Sequence, residues 1–257
     1  MQSETTDETV REYYSYSTRL LDGTPERVRK SFFEARKGED FRKTIGNAYF
    51  DNIDPKYRQD LIGLRDYLRN AYSTIIALHA VISDVEMCAR MINRYPWHGT
   101  TISRGNHFEF VWSNFTNHCY IFEERTKQLG KHYNKLPQYF GGEKINVGPW
   151  VTLIKKELGE HIAFRGAHLH QWSRNYEGYE FFNMVDLVAP FDEKYKWAQK
   201  SLYRETKNHL KDEILATRDK MLNILLNLKP DPIAYILKDL AAFDNLLAQN
   251  EIQTSDL

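Results

Sequence analysis

Cysteine is scarce in this chain of 257 residues. The two it has, Cys88 and Cys119, show no CxxC spacing and are too few for a disulfide framework. Both fall in helically patterned stretches, which fits buried, inert thiols in a reducing compartment. No segment approaches the 18 unbroken apolar residues that a membrane-spanning helix needs, so no membrane role is expected. An excess of one charge is missing too. Lys plus Arg and Asp plus Glu number 35 each, so any contact with nucleic acid requires a local basic patch. No glycine-rich phosphate loop, GxSxG elbow, HExxH motif or cysteine ligand set occurs, and Gly141-Gly142 reads as a turn. The opening residues Met1-Gln2-Ser3-Glu4 are polar and acidic where a secretion signal needs a basic start and an apolar stretch, so the expected location is cytoplasmic.

What is present belongs to an ordinary globular chain, 42% hydrophobic and 27% charged. Its length suits one large domain, expected over residues 1–257 with a core of about 54–228 and appended helices at 1–50 and 231–257. Thr24-Pro25 gives an N-cap and a first-turn proline for a helix over 25–37. Asp54-Pro55 opens a longer one, in which Leu61, Leu64, Leu68, Tyr72, Ile75 and Ile76 keep a three/four spacing that continues toward Pro96. The same period runs from Asn106 to about His132, from Pro149 toward Arg165, from Asp192 to about Leu228, and over 233–247. Residues 136–149 read as a loop, and 181–188 are the one strand candidate. The predicted class is therefore all-α, a bundle of long antiparallel helices. Aromatic residues make up 14%, including 16 tyrosines, which suggests ring surfaces packed between helices or subunits and predicts self-association.

Reactive side chains are densest at Arg165-Gly166-Ala167-His168-Leu169-His170, following Glu160 and His161. If a helix continues through Gly166, Arg165 and His168 share a face with His161, and His170 lies to one side. A neutral imidazole can take the proton of a ribose 2′-hydroxyl while a guanidinium stabilises charge building on phosphorus, with no metal required. The same residues also suit a helix C-terminus, where cations favour the dipole and the last carbonyls.

Arginine and histidine separated by four intervening residues, late in an all-helical chain, resemble the signature of the HEPN superfamily, with Arg165 and His170 in the motif positions. The resemblance implies a helical bundle, commonly a homodimer, in which two motif copies face one another across a cleft and form a metal-independent RNA-cleaving site. It further implies Arg165 and His170 as catalytic residues with His168 in support, no cofactor, and a role of the kind found in toxin–antitoxin or phage-defence systems. Gly166 stands where family members usually carry a polar residue, and some members have lost catalysis and only bind, so a non-catalytic immunity or antitoxin-like protein is the alternative.

A metal-dependent hydrolase is the third reading, because His168 and His170 form an HxH pair near His161, Glu160 and Glu157. A second arginine–histidine spacing, Arg125 and His132, reads as solvated surface. His79 and His118 sit among apolar helical neighbours and read as core histidines, and His107 as a capping or surface group. Asn117-His118 would reach the Arg165 cluster only if their two helices are adjacent.

Overall fold

The computed structural model describes residues 11, 15–16, 18–33, 55–94, 103–170, 184–189 and 191–255, and every regular element among them is helical. The helices are α1 (Glu26–Phe33), α2 (Pro55–Ile92), α3 (Arg104–Tyr133), α4 (Pro137–Phe140), α5 (Gly148–His170), α6 (Glu193–Asn227) and α7 (Pro232–Ser255). The all-α expectation holds, and no helix among the described residues is long and apolar enough to cross a membrane.

Local chemistry explains most boundaries. Ser103 accepts the Asn106 amide through its hydroxyl and caps α3 one turn before the start expected at Asn106. Asp192 accepts the Lys194 amide and opens α6 as its sequence predicts. Asp231 does the same for Ile233 at the start of α7. Thr24 departs from expectation: its hydroxyl donates to the Leu20 carbonyl at 2.6 Å, so it closes the preceding turn instead of capping α1. The 136–149 stretch holds one short helix, α4, which ends on Gly141 at φ 66°, the left-handed conformation that glycine adopts without steric penalty.

The strand candidate at 181–188 is corrected. Residues 181–183 lie outside the described set, and 184–188 are helical. Asp186 holds that turn in place, accepting the Arg104 amide at 3.2 Å and the Gln199 side-chain amide, with Arg104 Nη1 at 3.5 Å. Among the described residues this β-prone run has no strand to pair with, and the helical turn satisfies its backbone internally.

The chain divides into two compact units. The first comprises Met1–Ala77, Arg125–Pro149 and Leu226–Leu257; the second comprises Leu78–Glu124 and Trp150–Leu225. In the first, Arg19, in the helical residues 18–23, pairs with Asp231 at the entry to α7, and Arg27 of α1 pairs with Asp244 of α7. Tyr133 donates its hydroxyl to the Pro232 carbonyl and packs its ring 5.1 Å from that of Tyr235. Asp239, on the same side of α7, is buried, and its Oδ2 has no hydrogen-bond partner among the described residues. At Gly130, a Cβ would stand 2.2 Å from Cγ1 of Val147, so the α3 backbone approaches that side chain as only glycine allows.

In the second unit, α2 and α3 run antiparallel: His107 Nε2 lies 3.2 Å from the Met91 carbonyl and His118 Nδ1 lies 3.9 Å from Asp84. Arg218 of α6 reaches Glu86 of α2 at 3.7 Å, and Tyr203 of α6 stacks on Phe108 of α3. Val85, Ile92, Phe108, Val111, Phe115, Cys119, Phe122, Ile154, Leu158 and Ile214 are buried here. Both cysteines are free and buried in this unit, as their sequence context predicts.

Candidate functional site

Arg165 occupies the last turns of α5, and the helix continues through Gly166 to His170. Helical spacing therefore puts His161, Arg165 and His168 on one side of α5, while His170, five residues after Arg165, is turned away by about 140°. The side chains of His168 and His170 lie outside the described residues. The remaining geometry belongs to Arg165 and what surrounds it.

Two residues of α3 hold Arg165. Its Nε donates to Asn117 Oδ1 at 3.2 Å, and its guanidinium carbon lies 3.7 Å from the centre of the Tyr120 ring. Asn117 and Tyr120 are three residues apart, so one face of α3 supplies both contacts. The ring attracts the cation through its quadrupole and covers one face of the guanidinium plane, while Asn117 fixes the rotation of that plane. Of the five N–H donors of arginine, the four on the Nη nitrogens have no carboxylate partner among the described residues. All three residues are half-buried, which lowers the local dielectric around the guanidinium. An anion arriving at the Nη edge meets a fork already oriented for bidentate contact.

His161, one turn before Arg165, is a core histidine. It is buried, its ring stands edge-on to Trp112 at 5.8 Å and to Phe115 at 5.0 Å, and its Nε2 lies 3.2 Å from the Thr217 hydroxyl. Burial pushes its pKa below the usual value, against Glu160 and with help from Lys220, so the ring is neutral near pH 7. It joins α3, α5 and α6 just beneath Arg165.

The other candidates have surroundings of their own. His118 follows Asn117 in sequence but faces Asp84, and burial lowers its pKa. Arg125 is exposed and donates to Gln128, consistent with its reading as surface. His132 belongs to the first unit, as does Arg125. His79 is buried, with its pKa pushed down to about 4. Glu157 lies 3.7 Å from Lys156 Nζ on its own helix. Among the described residues no group of three His, Cys, Asp or Glu side chains is placed to hold a metal ion, and His168 and His170 are not among those residues.

The adjacency of α3 and α5 brings Asn117 to Arg165. Tyr120 was not legible from sequence, because its partner lies 45 positions away; its one signal is the spacing of three from Asn117 on a helix. No protein-family model matches the chain, and no curated protein or solved structure matches it.

Proposed function

We propose that this chain is a HEPN-like, RNA-directed protein in which Arg165 binds a phosphate and His170 and His168 supply acid–base chemistry, with two copies of the motif meeting across a homodimer cleft. The observation that carries this reading is the clamp on Arg165. Asn117 and Tyr120 fix the guanidinium while leaving the Nη edge without a carboxylate partner among the described residues, the arrangement a phosphate ligand needs. The helical offset of about 140° between Arg165 and His170 suits a site shared between two copies, each contributing a different member of the pair. Cleavage would start from a ribose 2′-hydroxyl, with a histidine accepting its proton and the guanidinium supporting charge on the phosphorane.

The test is RNA cleavage by the purified protein with and without a chelator. Arg165→Ala and His170→Ala should each lower the rate on the order of 10²-fold or more while chelation leaves it unchanged, and the two losses should not add. Loss of activity on chelation, or full activity in either variant, refutes the mechanism. Sedimentation reads the dimer independently.

A second reading rests on the same clamp. The Arg165–Asn117–Tyr120 contact by itself locks α5 to α3, and Gly166 departs from the family's usual polar residue, which suits a non-catalytic interaction protein. In that case the unaltered protein cuts no RNA, and Arg165→Ala lowers stability instead of activity.

A further inference from the structure

A second feature of α6 is not used by the Arg165 site. From Trp197 onward, steps of three and four residues along this helix land on Lys200, Arg204, Lys207 and Lys211 in succession. Such steps return to the same side of an α-helix, so the four cations form one stripe rising about 16 Å. Trp197, at the N-terminal end, is 74% exposed. Lys200 and Arg204 are exposed and Lys207 and Lys211 half-buried, while Leu210, Ile214 and Met221 are turned into the protein.

The stripe lacks the pairing that several cations elsewhere show. Lys30 pairs with Glu26, Arg90 with Glu86, Arg19 with Asp231 and Arg27 with Asp244. None of the four stripe cations has such a carboxylate partner among the described residues. Their neighbours one turn away are like-charged, Lys200 with Arg204 and Lys207 with Lys211, an arrangement that opposes the helix. A face kept only for solubility alternates its signs. The acidic residues nearby, Glu205 and Asp212, stand at the sides of the stripe, and Glu205 accepts the Ser201 hydroxyl. In a chain of zero net charge, four successive cations with no carboxylate partner among the described residues are a local basic patch of the kind a polyanion requires.

We infer that this stripe is a track for single-stranded RNA, its phosphates laid along Lys200, Arg204, Lys207 and Lys211 and a base stacked on Trp197. The ligand class rests on the RNA reading above, but the track does not depend on Arg165 performing any chemistry. A single strand fits because one exposed ring next to a line of cations offers stacking to an unpaired base and charge to its backbone. A lipid surface fits less well: on this side of α6 no apolar residue occurs between Trp197 and Leu215, whereas a helix lying in a bilayer interface presents a continuous apolar face.

The experiment is fluorescence anisotropy of a labelled 20-nucleotide unstructured RNA with the full chain, across a salt series. Four phosphate contacts on a single strand give a log–log salt slope of about −3, so affinity should fall roughly fiftyfold between 50 and 200 mM salt. Replacing the four cations with glutamine should flatten that slope toward zero, and Trp197→Ala should weaken binding about tenfold. Circular dichroism of each variant checks that α6 is retained, and the slope of the unaltered protein needs no variant at all. A flat slope in the unaltered protein, binding undiminished in the glutamine variant, or binding to phosphatidylserine vesicles in place of RNA each overturns the inference. Retained, stripe-dependent binding without cleavage sinks the catalytic reading and leaves the track standing; cleavage indifferent to the stripe does the reverse.

Discussion

Replacing Asp239 with asparagine should stabilise the protein at neutral pH by about 3 kcal/mol and leave it nearly unchanged near pH 3. Burial raises this carboxyl from 3.8 to about 6, with Lys238 opposing only weakly. Burial raises the hydroxyls of Tyr133 and Tyr235, and the charge on Asp239 pushes both further up. In the unfolded chain the carboxyl ionises above pH 3.8, but in the native state it holds its proton until about pH 6. Stability from the retained proton is therefore present below the unfolded value and is lost as pH climbs through that window; about two pKa units at about 1.4 kcal/mol each give the figure. Asparagine keeps the shape and has no charge to bury. Histidines of the opposite sign, His79 at about 4 among them, destabilise the protein as pH falls below their unfolded value, so the unaltered protein alone gives a mixed profile. Only the difference between the two proteins isolates Asp239. Urea unfolding of both at pH 4, 5, 6, 7 and 8 should show a gap that opens as pH rises and levels off above pH 7. A gap independent of pH, or an asparagine variant weaker at pH 8 than at pH 4 relative to the unaltered protein, would refute the reasoning.

Gly130→Ala should lower stability by about 1–3 kcal/mol, read by thermal melting, because the new Cβ meets Val147 at 2.2 Å. Adding Val147→Ala should recover part of that loss, and additive effects would show that Val147 is not the obstacle. Tyr120→Leu should slow RNA cleavage by releasing the guanidinium while costing only about 1 kcal/mol of stability, measured by single-turnover assay beside a melting curve. Thr217→Val should weaken the protein by about 1 kcal/mol and leave RNA binding unchanged, since the hydroxyl serves the neutral His161 ring and not the Arg165 edge.

Helices were legible wherever apolar spacing and punctuation agreed. Asp54-Pro55 marks the start of α2, Asp192 that of α6, and the three/four repeat of Phe108, Val111, Trp112, Phe115 and Cys119 is the buried side of α3. Reading failed where tertiary contacts decide between local options. Thr24 has the residue type of an N-cap, but its hydroxyl has the Leu20 carbonyl within reach and bonds there. Residues 184–188 have strand-like composition, but Asp186 is captured by Arg104 and Gln199 in a helical turn. Arg165 was visible as a candidate because its cluster is local in sequence. The tyrosine that orients it was not, because a cation–π contact between two helices leaves no pattern along either one.

The burial of Cys88 and Cys119 turns the second unit into its own clock. Burial, with Asp84 adding to it, lifts the Cys88 thiol to about 11, and burial, with Cys88 adding to it, lifts the Cys119 thiol further. A thiolate is the species that reacts, so alkylation of the native protein must wait for the helices around both sulfurs to part. The rate at which a thiol reagent consumes the two groups then counts openings of this unit and is blind to fraying in the other, without a label, a mutation or an assay of function.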